Sequence, residues 1–238
     1  MIRTEKISYQ SADDLFEGTV SWNDSQDGKR PGVLICHAFG GQSLFDTEKA
    51  QLLAELGYVG FALDLYGKGR RATSSAEANS LMAELNDDRS LLLDRMLLSA
   101  DTLRQLPQVD ENRIAAIGYC FGGKCVLDLA RSGADIRGIV SFHGLYDPPP
   151  QKADVPYLAS TLILHGWDDP LGPPKQVVAL AEELSGRGAD WQICAYGGTG
   201  HSFSNPKANA PESGIMYNAE SDARAWRAMQ SFLEEVLR

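Results

Sequence analysis

Short apolar runs alternate along the chain with stretches whose apolar residues return every three or four positions. The runs at 32–36 and 58–63 are short, apolar and closed by glycine or polar residues, which predicts buried strands, and those at 113–117, 138–142, 162–164 and 191–196 predict further strands. Residues 5–22 predict two further strands around a turn at Ala12-Asp13-Asp14. The helical stretches fall between them. One covers 45–56 and stops at Gly57, a residue suited to the left-handed position after a helix. Ser74 and Glu77 make a capping box for a helix to Leu85. A longer helix over about 87–106 carries Leu92, Met96, Ser99, Leu103 and Leu106 on one face, with Pro107 beyond it. Helices over 124–131, 175–184 and 217–237 follow, the last with Trp226, Met229, Leu233 and Val236 turned to the core. Apolar strands alternating with amphipathic helices predict an α/β fold, a mostly parallel sheet covered by helices on both faces.

Composition narrows the function. With 238 residues the expectation is a single α/β domain over 1–238. The 32 acidic against 22 basic residues give a net charge of −10, which argues against a nucleic-acid partner. No apolar run approaches the ~18 residues of a membrane span, and residues 1–6 lack the apolar core of a signal peptide. Cys36, Cys120, Cys125 and Cys194 show no C-x-x-C spacing, so free thiols in a cytoplasmic protein are expected.

The candidate chemistry sits at Gly118-Tyr119-Cys120-Phe121-Gly122-Gly123. A strand precedes it and a helix follows, as in a nucleophile elbow. The flanking glycines admit the sharp turn, since a Cβ at Gly118 or Gly122 would clash. The turn presents Cys120 and aims the Phe121 amide at a developing oxyanion. Asp168 and Asp169 follow one predicted strand, and His201 follows another in Gly200-His201-Ser202-Phe203. Nucleophile, acid, histidine is the order of α/β-hydrolases. His165 is expected to bond loop backbone.

With these motifs, and with Asp64-Leu65-Tyr66-Gly67, the chain resembles the dienelactone hydrolases of the α/β-hydrolase fold over nearly its whole length. The resemblance implies a triad of Cys120, Asp169 and His201, the spacing to Pro173 favouring Asp169 over Asp168. It implies Ala38, in Cys36-His37-Ala38-Phe39-Gly40-Gly41, as the second oxyanion donor. It implies hydrolysis of small esters or lactones with no metal or cofactor. His37, Phe39, Tyr119, His143, Arg89 and Phe203 are candidates to line the pocket.

Two departures stand out. The best-known members carry Glu where this chain has His37, and there the acid keeps the cysteine at rest. Here His37 is expected either to share the thiol proton with His201 or to be only a polar residue at a strand end. The family's carboxylate-binding arginine falls on Asn205, with Arg70, Arg71 and Arg89 as possible substitutes.

Two alternatives compete with an esterase. The fold could serve binding or thiol sensing without catalysis. The elbow also spells G-x-x-x-x-G-K from Gly118 to Lys124, a phosphate-loop pattern, though Cys125 replaces its Ser or Thr.

Overall fold

The computed structural model describes residues 1–11, 14–151 and 154–238. In chain order the elements are β1 (Ile2–Ser11), β2 (Asp14–Asn23), β3 (Arg30–Cys36), α1 (Leu44–Glu55), β4 (Val59–Ala62), α2 (Ser75–Asp87), α3 (Arg89–Arg104) and β5 (Val109–Tyr119). Then come α4 (Phe121–Arg131), β6 (Gly138–Phe142), β7 (Ser160–Gly166), α5 (Pro174–Gly186), β8 (Trp191–Tyr196), β9 (Asn209–Ala210), β10 (Ile215–Met216) and α6 (Ala219–Val236). The main sheet has eight strands in the order β1-β2-β4-β3-β5-β6-β7-β8. It is mostly parallel, as the alternation of strands and helices predicts. The chain divides into two compact units, Met1–Ile117 and Gly118–Arg238.

In the first unit β1 and β2 pair antiparallel from Ile2↔Asn23 to Ser11↔Asp14. The turn residues Ala12 and Asp13 lie outside the described residues. β2 runs antiparallel to β4, and β4 parallel to β3. Helix α1 packs closely on β4: a Cβ at Gly60 would lie 2.8 Å from the Ala50 Cα. Ser74 caps α2 by accepting from the Glu77 amide at 3.2 Å. The other half of the expected capping box shifts by one residue, because the Glu77 carboxylate accepts from the amide and hydroxyl of Thr73. Helix α3 buries Leu92, Met96, Ser99 and Leu103 as the periodicity requires, and ends before Leu106.

In the second unit β6, β7 and β8 are parallel neighbours, with Phe142 opposite Leu164 and Gly166 opposite Tyr196. The loops that leave these strands therefore emerge at one edge. Helix α4 starts directly after Cys120 and is buried along its whole length. Its charges are satisfied: Lys124 pairs with Asp147 at 2.8 Å, and Arg131 with Asp128 at 3.2 Å and Glu183 at 2.7 Å. Without a partner, each buried charge would cost several kcal/mol, roughly 3–5. Helix α6 is capped by the Asn218 side chain and buries Ser221, Ala225, Met229 and Leu233. That strict i, i+4 stripe leaves Trp226 and Val236 half-buried, at the margin of the expected face.

Candidate active site

The strand-turn-helix around Cys120 folds as its glycines demand. A Cβ at Gly118 would strike the Gly122 carbonyl, so the approach of β5 to α4 requires glycine. Cys120 occupies the turn at φ 54°, a left-handed region that non-glycine residues seldom occupy. Its amide donates to the Phe142 carbonyl at 3.0 Å, which ties the turn to the end of β6. Phe121 is the first residue of α4, which places its amide at the helix N-terminus. Cys120 keeps only 8% of its surface accessible.

Asp169 and His201 come together. The His201 Nδ1 donates to Asp169 Oδ2 at 2.7 Å, with both side chains buried. The other carboxylate oxygen accepts from the amides of Leu171 at 2.8 Å and Gly172 at 3.3 Å, so the acid cannot swing away. Asp168, by contrast, is exposed. Burial alone would lower the His201 pKa. The Asp169 bond and the nearby Cys120 thiol outweigh it and push the value up to about 10. The His201 Nε2 makes no well-formed hydrogen bond. The Cys120 thiol is nonetheless close enough to act on the imidazole.

A segment that the hydrophobic pattern does not reveal holds the His201 loop. Its amide donates to the Gly214 carbonyl at 2.8 Å, and its carbonyl accepts from Met216 at 3.1 Å. Gly214–Met216 is in turn pinned by the two-residue pairing of β9 with β10. A Cβ at Gly200 would strike the Gly214 carbonyl, so this contact explains the glycine before His201.

Three of the other candidates are buried side chains. Tyr119 is buried and stacks on Phe142 at 4.7 Å. Phe203 is fully buried between His143 and Tyr196, at 5.2 and 5.6 Å. His143 is buried too, its Nε2 bonded to the Ser204 hydroxyl at 2.8 Å. His165 bonds the Tyr146 hydroxyl at 2.9 Å rather than loop backbone. Ser204 and Tyr146 escaped the sequence reading, because each partner lies far along the chain and neither sits in a motif.

The first unit holds the remaining candidates. His37 is fully buried, with Nδ1 donating to the Ala38 carbonyl at 2.7 Å and Nε2 accepting from the Leu65 amide at 3.2 Å. Both nitrogens are occupied, so His37 has no site left to receive a thiol proton, and it lines no surface. Burial, opposed by the Ala38 bond and the Asp64 charge, lowers its pKa to about 4. Ala38 and Phe39 are half-exposed, and the Phe39 carbonyl accepts from Tyr66 at 2.9 Å. Arg71 is paired with the buried Asp64 at 3.0 Å and Arg70 with Glu84 at 2.6 Å. Arg89 is half-buried at the start of α3.

The G-x-x-x-x-G-K segment forms no phosphate loop. Gly118 belongs to β5, the helix begins at Phe121, and Lys124 is buried against Asp147.

The pattern of the dienelactone hydrolase family matches residues 16–237. A solved structure named m3DLH superposes with a TM-score of 0.94 at 36% identity, over 100% of this chain and 99% of its own. A dienelactone hydrolase-like promiscuous phosphotriesterase from metagenomic libraries gives 0.93 at 32% identity, with coverage of 100% and 99%. A Bradyrhizobium protein named "Probable 2-oxo-3-(5-oxofuran-2-ylidene)propanoate lactonase" is 27% identical over 186 residues, 74% of each chain. The chain belongs to the dienelactone hydrolase family and is a hydrolase of that type.

Proposed function

We propose that this chain hydrolyses small, uncharged carboxylic esters or lactones through a thioester on Cys120. The observation that carries the reading is the Asp169–His201 bond beside the Cys120 elbow. A His201 that holds its proton to about 10 is an imidazolium at neutral pH, and an imidazolium beside a thiol favours the thiolate nucleophile. The sulfur attacks the carbonyl carbon, and the Phe121 amide stabilises the oxyanion. One such donor is worth roughly 10²–10³ in rate. As the C–O bond breaks, His201 gives its Nε2 proton to the leaving alkoxide. The neutral imidazole then takes a proton from water, whose oxygen attacks the thioester. The acid product leaves, and the thiolate–imidazolium pair is restored. Asp169 orients the ring and stabilises its cation.

The uncharged substrate class follows from the cations. Asn205 stands where the family places an arginine, and Arg70 and Arg71 already serve Glu84 and Asp64. A substrate carboxylate thus loses the family's arginine and two of its three possible substitutes. Four free cysteines fit activity in the reducing cytoplasm.

The test is turnover of p-nitrophenyl acetate, dihydrocoumarin and a carboxylate-bearing dienelactone by wild type and Cys120→Ala. Wild type should prefer the two neutral substrates, and a folded Cys120→Ala should lose all three activities. Undiminished turnover in that variant would exclude the thioester route. No turnover by wild type would favour a binding role. Because one solved relative is named as a promiscuous phosphotriesterase, paraoxon is a fourth substrate to assay.

A further inference from the structure

Backbone strain in this protein gathers in one place. Among the described residues, the non-glycine residues with positive φ are Cys120 at 54°, His143 at 38° and Ser202 at 57°. Such conformations persist only where the surroundings hold them, and they cluster at functional sites. Cys120 follows β5, His143 follows β6, and Ser202 follows His201 beyond β8. His143 joins the other two. Its ring stands edge-on to the His201 ring at 5.1 Å, and its Nε2 bonds Ser204, two residues past Ser202, at 2.8 Å. The carbonyl just before it, that of Phe142, receives the Cys120 amide at 3.0 Å. The His143 amide donates to Leu164 at 2.8 Å, which anchors the whole turn on β7.

We propose that His143 is a positioning residue for the hydrolysis, clamping the His201 loop through Ser204 and the Cys120 turn through the Phe142 carbonyl. The proposal rests on the Cys120–His201–Asp169 reading and deepens it. His143 sits one step from the reaction and exchanges no proton. Burial first, and then the nearby charge of His201, hold its pKa well below the usual histidine value, so it stays neutral. The groups that face His201 are Cys120 from the elbow, Asp169 and His165 from β7 and the loop after it, and His143 from the end of β6. Of these, His143 is the one bonded to the segment downstream of His201. Without the clamp the imidazole drifts from both Asp169 and the thiol.

Ser204→Ala tests this, because it deletes one buried oxygen and leaves the strained backbone at His143 untouched. The expected result with p-nitrophenyl acetate is a kcat lower by about tenfold, the scale of loss when a reacting group is misplaced. KM should move by less than about twofold, since the ester contacts are kept. The alkaline limb of the kcat profile should move to lower pH, since an imidazole held less firmly at Asp169 loses its proton earlier. His143→Phe should do the same, and the double variant should lose no more than either single one, since both break the same bond. A lowered Tm with kcat and alkaline limb unchanged would overturn the clamp, as would additive losses in the double variant. Should His143→Phe fail to fold, Ser204→Ala decides alone. Cys120→Ala runs in parallel: turnover surviving there overturns the thioester reading, whereas its loss beside an unaffected Ser204→Ala overturns only the clamp.

Discussion

His37 and His201 each follow a strand, and both are buried, yet the protein drives them to opposite ends of the histidine range. His37 falls to about 4 and His201 rises to about 10. In both, burial is the largest influence and acts downward. The difference lies in what meets the ring. His37 bonds neutral backbone on both sides, and the nearby Asp64 charge is already held by Arg71. His201 meets the Asp169 carboxylate on one side and the Cys120 thiol near the other. Charge at the partner, rather than burial or position at a strand end, sets the two rings apart.

Removing that charge gives the largest expected effect. Asp169→Asn should lower kcat/KM for p-nitrophenyl acetate by roughly 10³–10⁴, the scale seen when the acid of such a triad becomes an amide. The alkaline limb near 10 should collapse toward the ordinary histidine range. A loss of only a few fold would show that the carboxylate does not set the contrast.

The same contrast should appear in stability. The folded pKa of His37 lies below its unfolded value of 6.5, so between 6.5 and about 4 the unfolded chain binds more protons. Stability must then fall as pH drops through that window, by an amount on the order of 3 kcal/mol for this residue. The folded pKa of His201 lies above 6.5, so its contribution is complete below 6.5 and is lost as pH rises through about 10. Urea denaturation across pH should show both slopes. His37→Gln should flatten the acid one in part, since His143 and His165 are held low as well, and leave the alkaline slope in place. An unchanged acid slope in that variant would contradict the burial of His37 as a neutral ring.

The elbow was legible because its requirements are local: a strand, a glycine at a forbidden contact, a cysteine at the turn and a helix all lie within a dozen residues. β6 and β8 match their apolar runs residue for residue, since glycine or polar positions bound them. β5 runs back to Val109 through Asp110, Glu111 and Asn112, whose polar side chains stay outside the core and so hide the strand. β9 and β10 are two residues each and are joined by backbone pairing, so no hydrophobic pattern announces them. The His143–Ser204 bond spans 61 residues, and only the fold brings its ends together. The spacing to Pro173 already favoured Asp169 over Asp168, and the fold adds the physical reason, because one is buried at the imidazole and the other exposed.

That pair supplies the smallest expected effect. Asp168→Asn should change kcat/KM by no more than about twofold, as for an exposed side chain outside the site. A loss matching that of Asp169→Asn would reverse the assignment.

The central claim, a thioester on Cys120 governed by the Asp169–His201 pair, is tested most directly by rapid acid quench of the enzyme during turnover of p-nitrophenyl acetate. Intact-mass and peptide analysis should find one acetyl group on the peptide that contains Cys120, released by hydroxylamine and absent from Cys120→Ala. An acetyl group carried by any other residue during turnover, or full turnover with Cys120 unmodified and replaceable, would contradict it.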